Sequence, residues 1–197
     1  QNEKRQRVDN RPYGHSNYVT IKNMYPEGHP YNWTVIGELE DLQNATLEDV
    51  RSFYEQWYGP NNATMVIAGD ISPRAVKKMV EKYFGEIKKG PEIKNPEPWH
   101  VTLETTKKVF HEDNFARSPR LSMSFPTVNQ LDDDAPALEL LGQLLGDGKK
   151  APLYKVIVED KKLAPNISSF SRTQEIAGTF NISSTAFPTT NLTDVEN

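Results

Sequence analysis

The stretch Thr46-Leu47-Glu48-Asp49-Val50-Arg51-Ser52-Phe53-Tyr54-Glu55-Gln56-Trp57, then Tyr58-Gly59-Pro60-Asn61-Asn62, then Ala63-Thr64-Met65-Val66-Ile67-Ala68-Gly69-Asp70, decides the fold class. Thr46 and Asp49 stand three apart ahead of an apolar stripe, the pattern of a capping box in which hydroxyl and carboxylate satisfy free N–H groups at a helix start. Leu47, Val50, Phe53, Tyr54 and Trp57 then fall on one helical face. Gly59 and Pro60 stop the helix. The run 63–68 is short, apolar and ended by Gly69-Asp70, so it reads as a buried strand. Ser72 and Pro73 open a second helix, since proline at the first helical position loses no hydrogen bond. Val76, Met79, Val80, Tyr83 and Phe84 form its stripe, and Gly85 closes it. Both helices are expected to bury these stripes, which puts Val50, Phe53, Trp57, Val76, Val80 and Phe84 in a core.

Outward from this unit the order is irregular. Residues 1–9 suit a helix, Asn10-Arg11-Pro12-Tyr13-Gly14 breaks it, and 15–43 reads as a long loop carrying Gly28-His29-Pro30-Tyr31. From Lys88 to Lys108 the chain turns polar, with Pro91, Pro96 and Pro98, and 91–108 is the expected linker. Beyond it Val109-Phe110, Leu121–Phe125, Ile167–Ser171 and Thr179–Ala186 read as strands. Helices are expected from about Asp134 (Leu138, Leu141, Leu144, Leu145; ended by Gly146 and Gly148) and from Pro152 (Leu153, Tyr154, Ile157, Val158). Strands and helices alternate without a βαβ rhythm, which implies α+β.

Composition narrows function mostly by exclusion. The 197 residues carry a net charge of −4, mean hydropathy is −0.68 and the isoelectric point about 5.6. Nothing here would displace counterions from a phosphate backbone, so nucleic acid is not an expected partner. No apolar run approaches the roughly 20 residues of a membrane-spanning helix. Cysteine is absent, which removes disulfides, thiolate metal sites and a cysteine nucleophile. Six Asn-X-Ser/Thr triplets, from Asn32 to Asn191, are read as composition. A charged start without a methionine is expected of a piece from a longer chain.

Motifs for chemistry are scarce. No pair among His15, His29, His100 and His111 has the spacing of a helical zinc pair, and Phe115 stands where a second histidine would complete His111-Glu112. Loop histidines such as His15 and His29 are mostly structural, although a cluster of the two with a carboxylate stays open. Gly146-Asp147-Gly148-Lys149 follows a helix, so it caps rather than cradles phosphate, and no Gly-x-Ser-x-Gly elbow occurs. Asp132-Asp133-Asp134 sits at a helix start, where negative charge is favoured.

Taken in order, Asn2-Glu3-Lys4-Arg5-Gln6, Asn10–Gly14, Gly28–Tyr31 with Ile36-Gly37, Leu42–Val50, Tyr58–Ala63 and Val66–Ile71 resemble the latter half of the first domain of pitrilysin/insulinase-type zinc metallopeptidases, the inverzincins. Residues 109–187 are more loosely similar to the start of the family's second domain. The resemblance implies mixed sheet-and-helix layers of the pitrilysin/mitochondrial-processing-peptidase type. It implies domains at 1–90 and 109–197 joined by 91–108. It also implies zinc held by a His-x-x-Glu-His motif, whose glutamate is the general base, together with a distant glutamate. Glu3 falls at that distant ligand. The motif itself is absent, so these residues supply no catalytic group, and the piece alone is expected to be inactive and free of zinc. A peptide substrate, a second half or subunit closing a clamshell, and a periplasmic or secreted setting follow from the same resemblance. The rival readings are a non-catalytic scaffold subunit of this fold and a peptide-binding module.

Overall fold

The computed structural model describes residues 1–197. They divide into two compact units, Gln1–Gly37 with Glu97–Asn197, and Glu38–Pro96. The second cut falls inside the expected 91–108 linker. The first lies within 1–90, because residues 1–37 are grouped with the C-terminal half of the chain.

The larger unit is built on a three-stranded antiparallel sheet of β1 (Arg120–Thr127), β2 (Ser168–Thr173) and β3 (Gly178–Thr185), in the order β1-β3-β2. β3 is the shared strand, pairing Phe125 with Phe180 on one side and Ser171 with Phe180 on the other. Cross-strand partners point to one face and alternate residues to the other. One face therefore carries Leu121, Met123, Phe180 and Ile182 with the small Ser169 and Ser171. The opposite face carries Ser124, Asn181, Ser183 and Thr185, linked by Ser124 Oγ–Asn181 Oδ1 at 2.9 Å and Arg120 Nε–Thr185 Oγ1 at 3.0 Å.

Helix α6 (Ala135–Gly146) covers the first face over β2. Gly142 and Gly146, one helical turn apart, make that approach possible. A Cβ on Gly142 would lie 2.9 Å from Phe170 Cα, and one on Gly146 would lie 2.4 Å from the Ser169 nitrogen. Gly146 thus ends the helix, as its sequence implies, and also seats it. After a turn with Gly148 at φ 76°, α7 (Pro152–Tyr154) continues as a π-helical turn over Lys155–Asp160. Its Ile157 forms one core with Ala164, Ala186 and Val195 of α8 (Leu192–Glu196).

The N-terminal part of this unit holds α1 (Asn2–Lys4), running into a π-helical turn at Arg5–Asp9, and α2 (Ser16–Met24). Residues 15–43 read as loop, but α2 lies within them and α3 (Leu39–Asn44) of the other unit begins there. Met24 and Tyr25 pack on Ala177 in a second core. Val109-Phe110, expected as a strand, is irregular and exposed.

The smaller unit contains α3, α4 (Leu47–Trp57) and α5 (Pro73–Phe84). The capping box of α4 is complete. Thr46 Oγ1 accepts the Asp49 N–H at 3.2 Å, and Asp49 Oδ2 accepts the Thr46 N–H at 2.7 Å. The Thr46 hydroxyl, which donates to Asp49 Oδ2 at 2.6 Å, and then the Thr46 N–H hold the Asp49 carboxyl below the usual carboxylate range. Pro73 opens α5, while Ser72 caps it without a side-chain bond.

Two expectations fail in this unit. Residues 63–68 form no strand, because a strand is defined by a ladder and no other strand lies in the unit to supply one. The stripes of α4 and α5 are not buried either: Phe53 is 58% exposed, Val50 60% and Phe84 47%, and only Val76 and Val80 are half-buried.

Candidate functional site

Glu3, the one metal ligand implied by the sequence, lies in the first turn of α1. Its carboxylate is exposed and sits 3.4 Å from the Arg7 guanidinium, one turn on. No group of three or more His, Cys, Asp or Glu in the chain is arranged to hold a metal ion. Structural and catalytic zinc centres both draw at least three ligands from protein. Glu3 with an arginine neighbour does not fit zinc by itself. Any zinc it ligates requires its other ligands from outside residues 1–197.

Of the four histidines, only His15 and His111 come into ring contact with one another in the structure. His29 is fully buried. Its Nδ1 accepts the Tyr31 N–H at 3.0 Å, so Nε2 carries the proton and donates it to the Trp99 carbonyl at 3.0 Å. Tyr25 stacks on the ring at 4.5 Å, and the Trp99 ring lies 4.6 Å away. His29 is a pin between the 25–32 turn and the segment at Trp99, whose N–H donates to the Ile176 carbonyl at 2.8 Å. The Tyr25 hydroxyl is pushed above its ordinary value by burial and by neighbouring Tyr31, partly offset by Arg172. His100 Nε2 accepts from the Asn129 backbone at 3.3 Å. His15 lies 3.6 Å from Asp9 and 6.0 Å, ring to ring, from His111. The open possibility of His15 and His29 around one carboxylate is therefore closed, because His29 has spent both ring nitrogens elsewhere.

Sequence reasoning missed a concave site where residues 7–14 meet the start of β1 in the larger unit. Arg7, Arg11, Pro12, Tyr13, Gly14 and Arg120 line a cavity of about 400 Å³. Tyr13 has a left-handed backbone, φ 59°. It is fixed by its N–H to Asp113 Oδ2 at 2.7 Å and its hydroxyl to the Ser118 carbonyl at 2.7 Å. The Arg120 guanidinium lies 3.6 Å over its ring. Asp113 is held below the carboxylate range first by the Phe115 N–H, then by those of Tyr13 and Ala116, with His111 adding to the effect. The signal available in sequence was the turn Asn10–Gly14, but nothing local pointed to Arg120.

An α+β unit with a helix-covered antiparallel sheet, and no complete metal centre of its own, defines the class. Residues 44–197 match the peptidase M16 inactive domain, and the chain belongs to the peptidase M16 family. It is 32% identical over 165 residues to the zinc protease PqqE of Helicobacter pylori, covering 82% of this chain and 37% of that protein. A crystal structure of a protease from Helicobacter pylori superposes with a TM-score of 0.80 at 28% identity, over 99% of this chain and 48% of the other. The periplasmic protease PqqL of Escherichia coli shares the fold at a TM-score of 0.61 and 16% identity, over 93% of this chain and 21% of its own. The chain thus spans about a third to a half of the first two relatives. No helix in it is long and apolar enough to cross a membrane.

Proposed function

We propose that the chain is an internal portion of a zinc-dependent metalloendopeptidase that hydrolyses peptides, and that the portion alone is inactive. The observation carrying this reading is the peptidase M16 inactive-domain match over 44–197, beside 32% identity to a zinc protease. The smaller unit adds physical support. Its helices α4 and α5 leave Leu47, Phe53, Tyr83 and Phe84 exposed, and Val66 of the unpaired 63–68 segment is 83% exposed. Apolar surface of that extent calls for a covering element, here the remainder of a longer polypeptide.

In that polypeptide Glu3 is the distant zinc ligand. Its pairing with Arg7 is exposed and contributes only about 0–1 kcal/mol, so a metal displaces it at little cost. No catalytic step belongs to a residue of this chain, because the general base and the paired histidines lie outside it. The domain scheme 1–90, 91–108 and 109–197, a second half or subunit closing over the peptide, and a periplasmic or secreted setting complete the proposal. The setting is favoured by the likeness in fold to a periplasmic protease.

Metal analysis and a quenched-peptide assay on the longer polypeptide test it. Zinc and turnover are expected in the wild type, with both falling steeply in Glu3→Gln, which keeps size and loses charge. Undiminished zinc in Glu3→Gln refutes the ligand, and peptide cleavage by residues 1–197 alone refutes the division of labour. The matched domain's description as inactive favours one alternative, a scaffold subunit of the same fold. A longer polypeptide that binds no zinc decides for it.

A further inference from the structure

We propose that Arg7, Arg11 and Arg120 form a binding site for a small oxyanion, a carboxylate or a phosphate group. The site needs neither zinc nor hydrolysis, and it adjoins the proposed zinc ligand through the Arg7–Glu3 pair. Three arginines line one cavity in a chain whose net charge is −4. Their carboxylate neighbours are few and engaged. Glu3 lies 3.4 Å from Arg7, Asp9 lies 3.6 Å from His15, and Asp113 accepts three backbone N–H groups. The Arg11 carbonyl accepts the Gly14 N–H at 3.0 Å, while its guanidinium has neither a hydrogen bond nor an ion pair within the chain. Guanidinium is planar and always charged, and it pairs with carboxylate or phosphate through two parallel hydrogen bonds.

Exposed arginines are commonly no more than a solvated face. Preorganisation separates this group from that case. Arg120 is oriented twice, by its stacking on Tyr13 and by Nε donating to Thr185 Oγ1. The stacking residue is itself locked. Tyr13 holds a left-handed backbone, which a bulky residue adopts at a cost in strain and which persists where the surroundings over-determine it. Gly14 beside it leaves no room for a side chain, since a Cβ there would lie 2.0 Å from the Val8 carbonyl oxygen. The loop therefore presents Arg11 from a fixed frame, its Tyr13 and Gly14 N–H groups being held by Asp113 and the Arg11 carbonyl, with Arg7 from the π-helical turn and Arg120 from the start of β1.

The test is an NMR titration of ¹⁵N-labelled residues 1–197 at constant ionic strength, because exposed charges are screened by salt. The probes are sodium phosphate and an acetylated dipeptide with a free C-terminal carboxylate, with its C-terminal amide as control. Saturable shifts of the Tyr13 and Gly14 amides and the Arg120 Nε–H are expected with phosphate, the carboxylate peptide or both. Whichever probe saturates identifies the source of the oxyanion. Arg11→Gln is expected to weaken binding at least about fivefold, in line with the loss of a charge-assisted pair. Arg11→Lys keeps part of it, and Arg172→Gln on the opposite edge strand changes nothing. Arg7→Gln serves the same purpose if Arg11→Gln does not fold. Absence of saturable shifts with both oxyanions, equal titration of wild type and the Gln variants, or equal binding of the amide peptide overturns the site.

Discussion

Gly142→Ala sets two effects of opposite sign against each other inside α6. Replacing a helix-interior glycine with alanine stabilises an isolated helix by about 1 kcal/mol. The new methyl would lie 2.9 Å from Phe170 Cα and 3.3 Å from the Ser171 nitrogen, against roughly 3.5–4.0 Å for comfortable carbon contact. These neighbours are backbone, and β2 is tied along its length to β3 from Ser168 to Thr173. Neither partner can yield alone, so the helix must lift by a sizeable fraction of an ångström. Overpacking costs about 1–3 kcal/mol, and against tied backbone the upper part of that range, about 2–3 kcal/mol, applies, so the clash outweighs the propensity gain. A net loss of about 1–2 kcal/mol lowers Tm by roughly 2–8 °C for a chain of this size. Thermal unfolding followed by circular dichroism reads it. Gln143→Ala on the exposed side is the control, expected within about 0.5 kcal/mol. A Gly142→Ala protein that melts above wild type would refute the close seating of α6 on β2.

His29→Leu removes both bonds of the buried imidazole and strands the Tyr31 N–H and the Trp99 carbonyl, so urea unfolding should register a loss of about 2–4 kcal/mol. Phe180→Ala, in the buried middle of β3, should cost about 3–5 kcal/mol. Phe53→Ala on the exposed face of α4 should change stability of residues 1–197 by less than about 1 kcal/mol, and a larger loss would mean that this face is covered in solution. For Asp113→Asn the prediction concerns pH. The folded carboxyl titrates below the ordinary value of 3.8, so the unfolded chain binds the proton first. Its stabilisation is complete above that value and fades as pH falls below it. Wild type should therefore exceed Asp113→Asn in denaturant midpoint at neutral pH, with the gap closing below pH 3.8; a gap that stays constant there would argue against the hydrogen-bonded carboxylate.

What could be read beforehand were features whose cause is local. The Thr46–Asp49 box lies within four residues, and the alternation through Phe180, Ile182 and Ser184 reflects a strand with one covered face. Helix α2 escaped notice because Val19, Thr20 and Ile21 are β-branched residues with weak helical preference, and tertiary contacts through Met24 decide its form. The run 63–68 was over-read for the converse reason. Its composition favours extended chain, but pairing depends on a neighbour that local sequence does not report. The proposed role of Glu3 rests on family resemblance alone, since a glutamate among Asn, Lys and Arg has no local mark of a ligand. Arg120 joins Arg7 and Arg11 only through the folded sheet, which no spacing rule reaches.

The discontinuity of the larger unit bears on how the chain emerges during synthesis. The first 37 residues belong with 97–197, and their anchoring bonds span long stretches: 70 residues from His29 to Trp99, 100 from Tyr13 to Asp113 and 145 from Tyr31 to Ile176. At synthesis rates of roughly 5–20 residues per second, the last of these partners arrives about 7–30 s after Tyr31. Until Trp99 and Val101, and then Ala177, emerge, Met24, Tyr25 and His29 lack the partners that bury them. The N-terminal segment is thus a client waiting for its own C-terminal half, exposed to chaperones and proteases for far longer than the microseconds a helix needs to form.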